Sequence, residues 1–102
     1  MSQVKFTAKY SNKSVEVVAG WDRPLSHYFL TIYDMDPESR YDTITSTMET
    51  TETGGCPEPS NILEILTVFG VQAPDGFLDR VARREGNVIH THENGVWERM
   101  DL

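Results

Sequence analysis

The residues best suited to hold a metal or start a covalent reaction are three histidines and one cysteine: His27, Cys56, His90 and His92. Two of them sit in "VIHTHENGVWERM", where Asn94-Gly95 between β-like runs is a strong hairpin signal. A two-residue turn there places Glu93 opposite Val96, His92 opposite Trp97, Thr91 opposite Glu98 and His90 opposite Arg99. Opposed residues share a sheet face, as do residues two apart, so Val88, His90, His92, Trp97, Arg99 and Asp101 line one side. Two histidines at i, i+2 can chelate one ion, with Asp101, His27 or Cys56 as a further ligand. The signal is weak, because zinc sites announce three or four ligands and Arg99 opposes a cation beside His90. His90 and His92 are therefore weak metal candidates, no cofactor is expected, and the face reads as solvated or turned toward a partner.

Other chemistry is poorly supported. Cys56 lies near Glu52 and Glu58, which disfavour a thiolate, and no Ser, His, Asp arrangement stands out. Asp34 and Asp36 flank a turn and are expected to be well solvated, with no raised pKa. "TGGC" is no phosphate cradle. Residues 61–85 could be read as a helix-turn-helix, but the second helix would open on Pro74, Asp75 and Gly76 and carry a negative charge into a DNA groove. Catalytic residues are not assigned, and direct nucleic-acid binding is not expected.

The elements that must position these residues follow from periodicity. In "VKFTAKY", Val4, Phe6, Ala8 and Tyr10 alternate with Lys5, Thr7 and Lys9, a strand with one wet face. "SNKS" is a turn, and "VEVVAGW" returns with Val15, Val17 and Ala19 inward. "HYFLTIYDM" is apolar on both alternations, which suits a strand in the body of a sheet. "RYDTITSTM" reads as a fourth strand, although Tyr41, Ile44 and Met48 also fit a helical stripe. "ETTETGGCPEPS" has loop composition. Asn61 with Glu64 predicts a helix start, Ile62, Ile65, Leu66 and Phe69 its core stripe, and Leu63 with Val68 a widening of that stripe. Gly70 ends it. Pro74 then opens a second helix to about Gly86, buried through Phe77, Leu78 and Val81, with an Asp79–Arg83 pair on its surface. The expected architecture is one α+β domain over residues 1–102: an antiparallel sheet of about four N-terminal strands, two helices and a C-terminal hairpin.

Ahead of the third strand stands "GWDRPL". Here Gly20 is expected to supply an unusual backbone conformation, Trp21 to cover an edge of the core, and Asp22 with Arg23 to hold the turn before Pro24. Exposed Trp and Arg would instead make a contact surface. "GWDRPL" followed by Tyr28-Phe29 resembles a motif of short uncharacterised bacterial proteins over residues 17 to 33. The resemblance implies a bacterial origin and no activity.

The net charge of −7 is unevenly placed. Residues 34–64 hold eight acids against Arg40 alone, while the rest of the 102 residues balance. Such a field repels phosphate backbones and favours basic partners. The lone cysteine, the absence of an apolar leader and the lack of a long apolar run lead to the expectation of a cytoplasmic protein. The composition thus suggests a small acidic non-enzymatic module that docks on a basic surface of a larger protein, such as one that handles nucleic acid. Its contact residues would be Trp21, Arg23, Asp34, Asp36, Glu38, Asp42, Glu49, Glu52 and Trp97. The alternatives are a metal-dependent protein using His90 and His92, or a subunit whose third strand pairs with a copy of itself into a homodimer.

Overall fold

The computed structural model describes residues 2–22, 26–35, 43–46 and 58–101. Ser11 and Asn12 both take positive φ, 49° and 65°, and fold the first strand directly onto the second. Strand β1 (Gln3–Tyr10) and strand β2 (Lys13–Asp22) then pair from Tyr10↔Lys13 to Val4↔Ala19. Strand β3 (His27–Asp34) lies on the other side of β2, and the short β4 (Thr43–Ser46) pairs with β3 across an irregularity at Ile32/Tyr33. The strand reading of residues 40–48 thus holds for Thr43–Ser46. Helix α1 (Pro59–Val68) and helix α2 (Phe77–Ala82) follow, then β5 (Val88–Glu93) and β6 (Val96–Asp101).

The fold is α+β, as the sequence indicates, but the sheet is larger than four strands and not purely antiparallel. Its order is β4-β3-β2-β1-β5-β6, because the C-terminal hairpin joins the sheet through a parallel pairing of β5 with β1. The two helices make this topology natural, since a chain that crosses one face of a sheet can return parallel to a strand it has passed. β3 consequently has β2 along its length on one side and β4 beside Thr31–Tyr33 on the other.

Both helices pack on one face. Val4, Phe6, Val15, Val17, Ala19, Leu30 and Ile32 from the sheet meet Ile62 and Leu66 of α1 and Phe77 and Val81 of α2, all at most 2% exposed. The ring of Phe77 meets that of Phe6 edge-on at 4.9 Å. The inward residues of β1 and β2 are those the alternation selects.

Four local expectations need correction. Helix α1 begins earlier, with Glu58 as N-cap and Pro59 next; Asn61 is not the cap but the third helical residue, whose Oδ1 accepts from the Glu58 N–H at 3.1 Å. Leu63 and Val68 do not widen the buried stripe: they are 44% and 83% exposed, on the outer side of α1. At the end of α1 the N–H of Gly70 donates to Thr67 O and that of Val71 to Leu66 O, a Schellman closure with Val71 and Leu66 both buried. Pro74 does not open α2, because Gly76 takes φ 87° and the helix can start only after it.

The fourth correction concerns Gly20, which does not take positive φ. A side chain there would strike the carbonyl of Ser2, which crosses close over the strand, and would press on the Phe29 ring. The glycine provides room for the N-terminal segment, not backbone freedom. Of the "GWDRPL" stretch, Arg23, Pro24 and Leu25 lie outside the described residues.

Candidate functional site

The hairpin β5–β6 has the register its turn dictates: Glu93↔Val96, His92↔Trp97, Thr91↔Glu98, His90↔Arg99 and Val88↔Asp101. Asn94 and Gly95 have φ 54° and 78°, the double left-handed geometry that Asn-Gly favours. His90, His92, Trp97, Arg99 and Asp101 therefore share a face, and α2 packs beside it.

Glu85, just beyond α2, joins these groups. Its Oε1 accepts from His90 Nε2 at 2.9 Å, and its Oε2 lies 2.8 Å from Arg99 Nη1. Arg83 stands 3.8 Å from the same carboxylate and donates to Asp79 at 2.7 Å, the expected i, i+4 pair. The hydrogen bond from His90 holds the Glu85 carboxyl below its ordinary range. Burial opposes that shift, and the charges of Arg99, His90 and Arg83 reinforce it. Arg99 also donates to Asp101 at 2.9 Å, and Asp101 first, then Glu85, hold its guanidinium more firmly protonated. Because Glu85 is an ionised acceptor, Nε2 of His90 carries the proton it donates.

This arrangement bears directly on metal binding. His90 is only 4% exposed and its Nε2 is engaged, while the His92 ring meets Trp97 edge-on at 4.9 Å. Asp101 is bound to Arg99, and His27 lies on the opposite sheet face, one residue before the inward-facing Tyr28. Among the described residues no group of three His, Cys, Asp or Glu side chains could hold a metal ion. Cys56 is outside them.

Each tryptophan carries an arginine. Arg80 lies 4.4 Å from the Trp97 ring centroid, and the indole N–H donates to the Asp75 carbonyl at 2.8 Å. Arg84 lies 4.1 Å from the Trp21 centroid and donates to the Tyr28 hydroxyl at 2.7 Å, with Trp21 and Tyr28 in edge contact at 4.8 Å. Such stacked pairs at half-exposed positions contribute about 0.5–1 kcal/mol each. Trp21 and Trp97 are thus half-buried, and both pack against arginines from the α2 region.

Beside His92, the α1–α2 connection leaves an open cleft of about 330 Å³, with Phe6, Ala73 and Pro74 as apolar lining and Thr7, Gln72, Asp75 and His92 as polar lining.

Of the sequence-derived contact residues, Asp34 is not solvated. Its side chain is 7% exposed and stands 3.3 Å from Lys13 Nζ, because Asp34 opposes Val15 on the covered face of the sheet. Arg23, Asp36, Glu38, Asp42, Glu49 and Glu52 lie outside the described residues. The sequence reading missed Glu85, Arg80, Arg84 and Tyr28. One signal was present: a histidine and an arginine forced face to face by the hairpin register call for an anion above them.

No protein family, curated protein or solved structure matches the chain. Among the described residues no helix is long and apolar enough to cross a membrane.

Proposed function

We propose that this chain is a small non-enzymatic binding module that docks its acidic segment on a basic surface of a larger protein in the bacterial cytoplasm. One observation carries the reading. Of the seven described Lys and Arg side chains, Arg80 and Arg84 lie on aromatic rings and Arg83, Arg99 and Lys13 on carboxylates. Arg83 and Arg99 thus face Asp79, Glu85 and Asp101, carboxylates outside residues 34–64, where the whole acid excess lies. The proposed contacts are Asp36, Glu38, Asp42, Glu49 and Glu52, with Trp21 and Trp97 reserved for packing. A partner that handles nucleic acid has the basic surface this requires.

Affinity capture from bacterial lysate tests the proposal. The captured protein should be released as salt rises from ~0.05 to ~0.3 M. It should also be lost when Asp36, Glu38, Asp42, Glu49 and Glu52 are changed together to their amides. Failure to capture a partner, or capture indifferent to both changes, overturns the proposal.

A further inference from the structure

Among the described residues, β6 pairs only with β5, and the sheet ends there. In a two-residue hairpin the pair flanking the turn exchanges both ladder bonds, and pairs then alternate. Val96, Glu98 and Met100 therefore bond toward β5, while the backbone groups of Trp97, Arg99 and Asp101 point away from the sheet. A row of such groups is a template for another strand.

The side chains of β6 are unusual for an edge. Val96 and Met100 are 58% and 61% exposed and flank Glu98 on the face away from the helices. Glu93 and Glu98 are exposed, and the one cation, Arg99, is clamped between Glu85 at 2.8 Å and Asp101 at 2.9 Å. The edge thus presents two apolar side chains in a negative setting.

We infer that β6 is a strand-addition site whose occupant is an extended segment of a partner protein that carries apolar, basic and apolar residues at every second position, so that all three share one face. Backbone bonds would supply the pairing, Val96 and Met100 would pack against the apolar positions, and Glu98 would select a lysine or arginine. A second copy fits poorly, because the antiparallel register that sets Val96 on Met100 also sets Glu98 on Glu98. The inference rests on the basic character of the proposed partner and adds a second place of contact.

A ten-residue peptide with Val and Lys taking turns at every second position and Thr between them serves as the probe, with a proline-interrupted version and a version with Glu in place of Lys as controls. The Lys/Val peptide should slow amide exchange at Trp97, Arg99 and Asp101, and both controls should fail to do so. Glu98→Lys should weaken binding by roughly three- to tenfold, since it turns an attraction at the surface into a repulsion. Met100→Thr should weaken binding with the charge unchanged, and an unchanged amide spectrum of the hairpin establishes that each variant is folded. The inference falls if the peptide does not bind, if it binds without protecting those amides, or if Glu98→Lys binds as tightly. It also falls if the protein alone forms a dimer that protects them, which makes a second copy the occupant. If neutralising residues 36–52 abolishes lysate capture while the peptide leaves β6 untouched, acidic docking stands and strand addition does not. Protection at β6 combined with salt-indifferent capture gives the opposite result.

Discussion

The β1–β2 and β5–β6 hairpins are built on the same turn. Ser11-Asn12 and Asn94-Gly95 each place two consecutive residues at positive φ, and each fixes a register in which one alternation faces the helices. Their fates differ. Val4, Phe6, Val15, Val17 and Ala19 of the first hairpin are at most 2% exposed, whereas on β6 no described side chain is fully buried. The first hairpin occupies the centre of the sheet, and the second ends it. A turn determines which residues share a face; position in the sheet determines whether that face becomes core. The second hairpin is held instead by Glu85 beneath His90 and Arg99, and by Trp97 beneath Arg80.

The largest effect should come from cutting into the buried hairpin. Phe6→Ala removes a ring that is 2% exposed and packed edge-on against Phe77. Urea unfolding should show a loss of about 3–5 kcal/mol. Met100→Ala, at 61% exposure on β6, should stay within about 0.5 kcal/mol. Comparable losses at the two positions would mean that burial does not separate the hairpins.

A smaller effect should come from the polar anchor of the second hairpin. Glu85→Gln keeps an acceptor for His90 but weakens both charged contacts, and should cost about 1 kcal/mol at neutral pH. The sign of its pH dependence is fixed. Glu85 has a folded-state pKa below its unfolded value, so its contribution is present in full above the ordinary carboxylate range. It is lost as pH falls through the lowered folded value. The difference in urea midpoint between the wild type and Glu85→Gln should therefore shrink between about pH 5 and pH 3. A constant difference would show that the carboxylate acts through shape and not charge.

Both hairpins were legible in the sequence because their information is local. Alternation in "VKFTAKY" and "VEVVAGW" and the Asn94-Gly95 pair fix faces and register without reference to the rest of the chain. The pairing of β5 with β1 was not legible, because nothing in "VIHTHE" names a neighbour far away in sequence. The same limit hid the candidate site. Arg84 reaches Tyr28 across 56 positions and Trp97 reaches Asp75 across 22, distances over which composition carries no pairing signal. Gly20 shows a third kind of miss: glycine invites a conformational explanation, and the cause is the passage of Ser2 overhead. Asp34 was misjudged because proximity to the chain reversal after β3 suggested solvent, while its register opposite Val15 places it on the covered face.

The smallest effect concerns the turns themselves. Ser11 and Asn12 hold φ of 49° and 65° without a glycine, so the first turn carries strain that Asn-Gly avoids. Converting Ser11-Asn12 to Asn-Gly should raise global stability by about 0.5 kcal/mol, because the central hairpin cannot open unless the core opens with it. Gly95→Ala places a side chain at φ 78°, an equally local perturbation of the other turn. At the edge, however, β6 can separate from β5 while β1, β2 and both helices stay packed. The change should therefore appear first as faster amide exchange in β5 and β6, with little movement of the global urea midpoint. A global loss as large as the gain at the first turn would show that the two hairpins unfold as one unit, and that β6 is part of the cooperative body and not its detachable margin.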